Sequence, residues 1–447
     1  MFILRENQVE PVRIGIEFFQ QKREPSIITA PTAFGKSLLI AKIAESITDK
    51  VIVLQPSKEL LEQNYGKFIG LGGRAAIYSA SFGKKQIDNV TYATIGSIKS
   101  KGITFRAFGF NKMIIDECDR YPREMMESMI GRFLRESGIS HVLGLTATPL
   151  KLQQNFDMQG NTFSKLQMLT SRSKNGNFFK EIIYVSQIEE MVRLGYWAKL
   201  EYEQYDMDLT GLRYNSTKAD YTEESLNEVY RSNNLTAKIC HKIDELKDRK
   251  SIIVFVPSVQ DAKDLSLLIP NSTAVYGDMD KKERDRAVTA FKNGSLRVVI
   301  NVNVLSVGFD SPNVDAIICS RPTASLAWFY QALGRGTRIH PDKKDCLIVD
   351  FSGNVAKFGK VEGLKYVKEG QIWKLYNGEG VLLSGVPLHQ IGMHHESTQG
   401  AVMPFGKFKG VPLIRIDKSY RSWCIQNCTF YNPKIKEELM ALQKQGI

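Results

Sequence analysis

Two series of short apolar segments do most to constrain how this chain of 447 residues can fold. Each segment is nearly continuous in apolar, often β-branched residues, a pattern typical of strands buried on both faces of a parallel sheet. Stretches of helical length separate the segments, so the sequence predicts an α/β fold with two parallel sheets in tandem. Strands are expected at 27–30, 51–55, 74–78, 90–94, 112–115 and 142–146 in the first sheet, and at 252–256, 273–276, 297–301, 315–319 and 346–350 in the second.

Changes in composition along the chain predict three domains. Residues 1–199 would form the first α/β domain, and residues 200–358 the second. Within the first, residues 150–185 are polar and have no clear period, so an insertion or ordered loop beside the sheet is expected. The Gly-rich segment 359–447 lacks the strand–helix alternation and predicts a small α+β module.

Composition and charge narrow the class of protein. No apolar run approaches the ~20 residues that cross a bilayer, so a membrane span is not expected. The N-terminus is too charged for a signal peptide and the six Cys form no C-x-x-C pairs, which favours a cytoplasmic location. The net charge of +12 fits a nucleic-acid partner, although a basic surface without such a partner explains it equally well.

The strongest local motif is A-P-T-A-F-G-K-S at residues 30–37, between the first predicted strand and an apolar helix. Main-chain N–H groups of such a loop bind phosphates at a helix N-terminus. Lys36 would reach the β- and γ-phosphates of ATP, and the Ser37 hydroxyl would ligate Mg²⁺. Ala30 and Ala33 occupy positions where related loops have Gly. The loop residues expected to bind the nucleotide are Thr32, Ala33, Phe34, Gly35, Lys36 and Ser37.

Two acidic residues, Asp116 and Glu117, directly follow a predicted buried strand. Beside a phosphate-binding loop, Asp116 would hold Mg²⁺, while Glu117 would orient and deprotonate the attacking water. The alternative is an ordinary acidic loop at the edge of a sheet.

A third element, Q-A-L-G-R-G-T-R, spans residues 331–338 in the second series. Arg335 and Arg338 could both reach one polyphosphate and stabilise charge on the transferred phosphoryl group, and Gln331 begins the same element. A solvated basic helix end is the alternative. Because this element and the phosphate loop lie in different predicted domains, ATP would bind in a cleft between two sheets.

In sequence order, these elements resemble the motifs of superfamily 2 helicases and translocases, which have two RecA-like domains. The resemblance covers residues 4–355 and is closest to bacterial and phage helicases of DNA repair, recombination and branch migration. The motifs are LRENQ (4–8), APTAFGKS (30–37), QPSKELLEQ (55–63), TYATIGSI (91–98), DECD (116–119), LTATP (145–149), VFVPSV (254–259), NVLSVGFDSPNVD (303–315) and QALGRGTR (331–338).

The resemblance implies further roles in the nucleotide site. Gln8 would contact the adenine, with Arg5 beside it, and Gly308 and Asp310 would line the cleft. A turn containing Thr146 and Thr148 would couple the γ-phosphate to domain closure. Ala33 and the D-E-C-D form of the acidic motif depart from the family pattern, which leaves the subfamily open.

The resemblance also implies a nucleic-acid face. Small polar residues at strand ends and helix starts would hold a sugar–phosphate backbone without sequence preference. Ordinary helix caps and turns are the alternative. The residues concerned are Pro56, Ser57, Lys58, Thr94 and Gly96 in the first domain and Ser258 and Asn303 in the second.

The sequence of the C-terminal module gives the weakest indication of function. Residues 400–447 contain eight Lys or Arg and three Asp or Glu, with aromatic residues between them. Such a segment suits stacking on unpaired bases or wedging a junction, but a small packed domain with an aromatic core is equally compatible. The residues of interest are Phe405, Lys407, Phe408, Lys409, Tyr420 and Trp423.

The leading hypothesis is an ATP- and Mg²⁺-dependent DNA helicase or translocase that acts on branched, forked or single-stranded DNA. A monomer in the cytoplasm is expected, in the host cytoplasm if the chain is phage-encoded. Two alternatives remain open: an RNA helicase or RNA-remodelling ATPase, and the motor subunit of a nuclease or restriction complex.

Overall fold

The computed structural model describes residues 3–21, 24–121, 126, 128–156, 160, 162–171, 177–302, 311–391, 403–406, 408, 411, 413, 416–428 and 433–444. The chain divides into two compact units, Met1–Leu388 and His389–Ile447. Within the described ranges, no helix combines the length and apolar character needed to cross a membrane.

Strands and helices alternate through most of the first unit. The strands are β1 (Ser26–Thr29), β2 (Val51–Gln55), β3 (Ala76–Ser79), β4 (Lys84–Lys85), β5 (Val90–Thr94), β6 (Lys112–Asp116), β7 (His141–Thr146), β8 (Leu150–Phe156), β9 (Thr162–Met168), β10 (Glu181–Val185), β11 (Lys199–Gln204), β12 (Ile252–Phe255), β13 (Ser272–Val275), β14 (Val298–Asn301), β15 (Ala316–Cys319), β16 (Asp345–Asp350), β17 (Lys365–Glu369) and β18 (Ile372–Tyr376). The helices are α1 (Glu6–Gln20), α2 (Lys36–Glu45), α3 (Lys58–Gly70), α4 (Ile95–Ile98), α5 (Gly102–Ala107), α6 (Met129–Ser137), α7 (Ile188–Arg193), α8 (Glu223–Ser232), α9 (Leu235–Glu245), α10 (Val259–Leu268), α11 (Lys281–Lys292), α12 (Leu326–Leu333) and α13 (Asn354–Phe358).

The first sheet has the strand order β10-β1-β7-β6-β2-β5-β3-β4. Neighbouring strands are parallel except for the short β3–β4 pair at one edge. Every residue of β1, β2 and β6 is buried, as expected for central strands that are covered on both faces. Because parallel strands share one carboxyl edge, the segments after β1, β2, β5, β6 and β7 all leave the sheet on the same side.

The second sheet has the strand order β11-β16-β15-β12-β14-β13 and is parallel throughout. Strands β12, β14 and β15 are completely buried, and Ile239 and Leu265 of the covering helices pack into the same core. Each strand that the apolar segments predicted is present, within two residues at either end.

The polar segment 150–185 differs from its prediction. It forms an antiparallel hairpin, β8–β9, and then β10, which joins the first sheet beside β1. Every second residue of β9 is buried from Ser164 onward, namely Ser164, Leu166 and Met168. The hairpin pairs outside the first sheet and so agrees with the expected insertion, but it is not a loop, and β10 is a strand of the sheet itself. The many polar residues of this segment obscured the period of two.

The predicted start of the C-terminal module at residue 359 also differs from the structure. The hairpin β17–β18 belongs to the first unit, where the Gln187 side chain bonds both the main-chain N and O of Tyr366, at 3.1 and 2.7 Å. The Tyr366 hydroxyl also donates to the Ala147 carbonyl at 3.5 Å. These contacts move the start of the last compact unit to His389.

The second unit has its own apolar core and contains two helices, α14 (Lys418–Asn427) and α15 (Pro433–Lys444). Asp417 caps the first of them, accepting from the Tyr420 N–H at 2.8 Å. The core consists of Met403, Leu413, Ile416, Cys424 and Leu439.

Candidate nucleotide site and nucleic-acid face

The loop between β1 and α2 has the conformation of a phosphate-binding turn. Ala33 and Gly35 both have left-handed backbone angles, with φ values of +60° and +92°. Only glycine adopts this region without strain, which explains why the related loops carry Gly at the position of Ala33. The side chain of Phe34 is completely buried, so this predicted nucleotide contact can act only through its main chain.

Lys36 begins α2 and forms an ion pair with Glu117, with 3.1 Å between Nζ and Oε1. Burial lowers the pKa of Lys36, but the carboxylates of Glu117 and Asp116 outweigh it, so the pKa lies above its usual value. The cation expected to meet phosphate and the carboxylate expected to activate water therefore lie side by side.

Asp116, the last residue of β6, is buried at the carboxyl edge of the first sheet. Its Oδ2 accepts from Asn64 Nδ2 at 2.8 Å, and its Oδ1 accepts from the Glu117 N–H at 3.0 Å. Burial, followed by the charge of Glu117, raises the pKa of Asp116 to about 7. Asn64, on α3, was not predicted, because nothing in its local sequence indicates a contact with β6.

Asp119 connects the acidic motif to the turn after β7. Its Oδ1 accepts from the Thr146 hydroxyl at 2.6 Å, and its Oδ2 accepts from the Thr148 hydroxyl at 3.4 Å. Lys151, at the base of the β8–β9 hairpin, donates to the Asp119 carbonyl at 2.7 Å. Sequence analysis assigned no role to Asp119, although its place as the fourth residue of D-E-C-D could have indicated one.

Gln8 and Arg5 pack directly against the phosphate loop. Gln8 Nε2 donates to the Phe34 carbonyl at 2.5 Å, and its Oε1 accepts from the Arg5 N–H at 2.9 Å. A Cβ added to Gly35 would lie 2.6 Å from Gln8 Nε2, and the φ of +92° strains any other residue, so glycine is favoured there. The Arg5 guanidinium lies 4.6 Å from the ring centroid of Tyr196, a residue that the motif analysis missed.

The second sheet reaches the loop through α12 and the turn after it. The hydroxyl oxygen of Tyr330 accepts from the Thr32 N–H at 3.1 Å, and Trp197 Nε1 donates to the Thr32 carbonyl at 2.9 Å. A Cβ on Gly334 would lie 2.8 Å from Thr32 Cγ2, so the turn approaches the loop closely. Because α12 ends at Leu333, Arg335 and Arg338 lie in the turn that follows the helix.

A cleft of about 490 Å³ brings most of the predicted nucleotide residues together. The first sheet contributes the loop, the acidic pair and the start of α1, and the second sheet contributes the segment around α12. The predicted residues lining this cleft are Arg5, Gln8, Thr32, Ala33, Gly35, Lys36, Ser37, Asp116, Glu117, Gln331, Arg335 and Arg338.

Five predicted site residues lie outside the described part of the chain. They are Asn303, Gly308 and Asp310 of the motif after β14, and Lys407 and Lys409 of the C-terminal unit.

The predicted nucleic-acid residues of the first sheet occupy the starts of two helices. Pro56 follows β2, and the hydroxyl of Ser57 caps α3 by accepting from the Leu60 N–H at 3.3 Å. Thr94 Oγ1 lies 3.2 Å from Ser79 Oγ, and a Cβ on Gly96 would meet open space.

Lys58 lies over the ring of Phe82, with Nζ 4.8 Å from the ring centroid. Lys84 and Lys85 are exposed on β4, directly after this turn. Lys84 and Lys85 add positive charge close to the ring that contacts Lys58. Sequence analysis missed Phe82 and the two lysines because they follow β3 outside any quoted motif.

Ser258 of the second sheet is buried at the start of α10. Its hydroxyl donates to Asp261 Oδ2 at 2.5 Å and accepts from the Asp261 N–H at 3.1 Å. The side chain therefore serves the helix start, and a phosphate could meet this residue only through main-chain atoms.

Two known family models match the chain, one over the region of the first sheet and the other over the region of the second. Residues 1–151 match the family model described as type III restriction enzyme, res subunit. Residues 234–340 match the model described as helicase conserved C-terminal domain.

Several relatives match along most of the chain, among them one from Saccharomyces cerevisiae and one from Sulfurisphaera tokodaii. A Saccharomyces cerevisiae protein named as an ATP-dependent helicase, IRC3, is 32% identical, over 78% of this chain and 52% of the yeast protein. The DNA 3'-5' translocase XPB2 of Sulfurisphaera tokodaii is 25% identical, over 77% of this chain and 80% of that protein. The chain thus spans about half the length of its yeast relative.

The fold is also similar to a solved structure, the ATP-dependent type ISP restriction-modification enzyme LlaBIII bound to DNA. The TM-score is 0.56 at 16% sequence identity, over 78% of this chain and 27% of that one. This likeness confirms the predicted α/β architecture.

Proposed function

Because the chain belongs to the superfamily 2 helicases with two RecA-like domains, we propose that it is an ATP-dependent DNA helicase or translocase that remodels branched or duplex DNA. The observation that carries the proposal is the cleft in which Lys36 and Glu117 of the first sheet face the same space as Arg335 and Arg338 of the second. Groups from two sheets that converge on one phosphate site can link hydrolysis to movement of the sheets.

Each side of the cleft has its own part in hydrolysis. The N–H groups of the loop and Lys36 bind the phosphates, and Glu117 orients and deprotonates the attacking water. Arg335 and Arg338 stabilise charge on the γ-phosphoryl group when the second sheet closes. Asp119 holds Thr146 and Thr148, so a shift of the acidic motif is passed to the segment after β7.

The donor set also fits Mg²⁺. Burial, and then the neighbouring charge of Glu117, raises the pKa of Asp116 to about 7 and that of Asp119 to about 6. Hard oxygen donors with excess negative charge favour such a cation. Ser37 and Asp116 would hold it, and it would neutralise phosphate charge during hydrolysis.

We propose a nucleic-acid partner because of the residues at the starts of α3 and α4, which follow strands of the first sheet. Ser57 and Lys58 at the start of α3, together with Thr94 and Gly96, offer hydroxyl, N–H and ammonium groups suited to phosphates. The ring of Phe82 fixes Lys58, and Lys84 and Lys85 lengthen the positive surface. Groups of this kind do not read base edges, so binding without sequence preference follows.

Measuring ATP hydrolysis with forked DNA, single-stranded DNA and RNA at equal nucleotide concentrations tests the proposal. Stimulation by DNA, greatest with forked DNA, is expected. Greater stimulation by RNA would favour an RNA helicase instead, and no stimulation by either polymer would overturn the proposed motor.

A motor subunit of a restriction or nuclease complex is the second candidate. Two likenesses favour it: the family model over residues 1–151 is named for a restriction enzyme subunit, and the similar structure is a restriction-modification enzyme. For this candidate, DNA should stimulate ATP hydrolysis strongly, but forked DNA should not be unwound by the chain alone.

A further inference from the structure

Among the described residues of the second unit, the four aromatic residues divide into three packed rings and one exposed ring. Phe405, Phe408 and Tyr420 pack against the apolar core of this unit. Trp423 on α14 is 52% exposed, although it is the largest apolar side chain of the helix. Three of the four aromatic residues that the sequence suggested for base stacking are thus used in packing, and one faces solvent.

Trp423 lies against a ring that the core holds in place. The Tyr420 and Trp423 rings are stacked, with centroids 5.7 Å apart and an interplanar angle of 27°. On its other side, Tyr420 meets Phe408 edge to face at 4.8 Å. A Cβ on Gly406 would lie 2.4 Å from the Tyr420 hydroxyl oxygen, so the turn before α14 also confines this ring. The exposed indole is therefore supported by a rigid base.

The exposed residues that share α14 with Trp423 are polar. Of the two basic residues in its sequence, KSYRSWCIQN, Lys418 is exposed and Arg421 is buried, and the helix contains no acidic residue. Ser419, Gln426 and Asn427 are also exposed on this helix. A protein-binding hot spot typically lies within a larger apolar patch, whereas the other exposed side chains of this helix carry amide, hydroxyl and ammonium groups.

We propose that Trp423 is a stacking platform for an unpaired base of single-stranded nucleic acid. An exposed flat ring and side-chain amides, with one exposed lysine at the start of the same helix, suit the binding of single strands without sequence preference. The stacked Tyr420 keeps the indole in one orientation, so little side-chain entropy is lost on binding. This inference rests on the proposed function, because it adds a second contact with the nucleic acid on which the motor acts.

Tryptophan fluorescence of the full-length protein tests the platform directly. An oligothymidylate of roughly 20 nucleotides is titrated at low salt without ATP. Stacking should quench the emission of the wild type. Trp423→Phe should abolish most of the quench with little loss of affinity, whereas Trp423→Leu should weaken binding by about 5- to 100-fold. Trp373→Phe on β18 is the matched control and should keep the quench.

Each of these measurements can support or overturn the stacking role of Trp423. A Trp423→Phe protein that is quenched as much as the wild type, or a folded Trp423→Leu protein with parental affinity, would overturn the platform. If Trp423→Leu does not fold, the quench in Trp423→Phe still decides. DNA-stimulated ATP hydrolysis by the wild type tests the motor separately, so failure of the platform and failure of the proposed function can be told apart.

Discussion

Lys36 Nζ and Glu117 Oε1 lie 3.1 Å apart, so the residue placed to bind phosphate is paired with the residue placed to activate water. Glu117 also has a left-handed backbone with φ of +46°, a costly conformation for a non-glycine residue. Binding of a γ-phosphate would draw Lys36 away and leave the Glu117 carboxylate free to accept a proton. The ion pair thus keeps the ammonium group of Lys36 and the carboxylate of Glu117 next to each other in the cleft.

Glu117→Gln should retain ATP binding and lose hydrolysis. Lys36, Ser37 and Asp116 remain to hold the nucleotide, but the amide cannot deprotonate water, so kcat should fall by ~10²–10⁴-fold. Equilibrium nucleotide binding and steady-state kinetics measure the two effects. Lys36→Ala is the comparison and should weaken binding as well. Hydrolysis by Glu117→Gln at the parental rate would exclude this residue as the base.

Arg338→Ala and Arg335→Ala should lower kcat far more than ATP affinity. Their guanidinium groups matter most when charge develops on the phosphoryl group, and such an arginine contributes ~10³–10⁵ to kcat in related enzymes. Arg13→Ala is the control, because Arg13 is exposed on α1 and pairs with Glu10. Poor ATP binding with normal turnover at saturation would place both arginines outside the transition state.

Ala33→Gly should stabilise the protein by about 0.5–1 kcal/mol. Alanine pays a steric cost at φ of +60° that glycine does not, and this gain exceeds the added entropy of the unfolded chain. Urea unfolding should show a higher midpoint with an unchanged slope. Ala41→Gly inside α2 is the matched control and should destabilise the protein by about 1 kcal/mol. Equal losses in both variants would contradict a strained loop.

Lys357 should make stability depend on pH above neutrality. Its Nζ donates to the Tyr221 hydroxyl at 3.1 Å, and burial, opposed by Asp220, lowers its pKa from 10.5 to about 8. Between these two pH values the unfolded chain binds more protons than the folded one, so the free energy of unfolding should rise with pH. Below the folded pKa the lysine is charged in both states and the effect is constant.

Urea unfolding at several pH values across this window measures the slope. Lys357→Met should remove the contribution, whereas Lys247→Met, at an exposed position, should leave the slope as in the wild type. An identical slope in wild type and Lys357→Met would show that the lysine titrates alike in both states.

The site residues were easiest to predict where a buried strand is followed directly in sequence by the loop that carries them. Residues 30–37 follow β1, and Asp116 and Glu117 lie at the end of β6, so parallel pairing of β1, β7 and β6 brings them to one edge. Contacts between distant segments could not be predicted this way. Asn64 meets Asp116, and Tyr330 meets Thr32, through packing of whole helices on whole sheets. The local sequence around each of these residues does not indicate its distant partner.

Composition misled the prediction in two places. The many Gln and Asn residues of 150–185 hid a hairpin, although Leu150, Leu166 and Met168 mark its buried face. The change to a Gly-rich composition at residue 359 suggested a new domain, whereas Tyr366 packs against Ala147 and Gln187 of the first unit. A Gly-rich composition indicates turns and a flexible chain. The boundary between two domains depends instead on which side chains are in contact.

Removal of the second unit should separate ATP hydrolysis from DNA remodelling. The described residues of the nucleotide cleft end at Ile339, and the core of the second unit begins at Met403, so deleting 389–447 removes a whole unit. Deletion from residue 400, where the basic and aromatic-rich segment begins, would leave residues 389–399 of this unit without its core. The truncated chain should keep appreciable DNA-stimulated ATPase activity, because the groups that bind and hydrolyse ATP remain.

Unwinding of forked DNA and migration of four-way DNA should fall much more steeply in this truncated chain. A motor that pulls one strand needs a separate feature to hold or divert the other, and the exposed Trp423 and Lys418 of α14 offer one. Parallel assays of ATPase and unwinding on the same preparations measure the ratio of the two activities. Full-length Glu117→Gln is the control, since it should lose both together. A truncated chain that remodels forked DNA as well as the wild type would make the second unit dispensable for strand handling. Loss of both activities in a folded truncated chain would instead mean that the unit supports the motor itself.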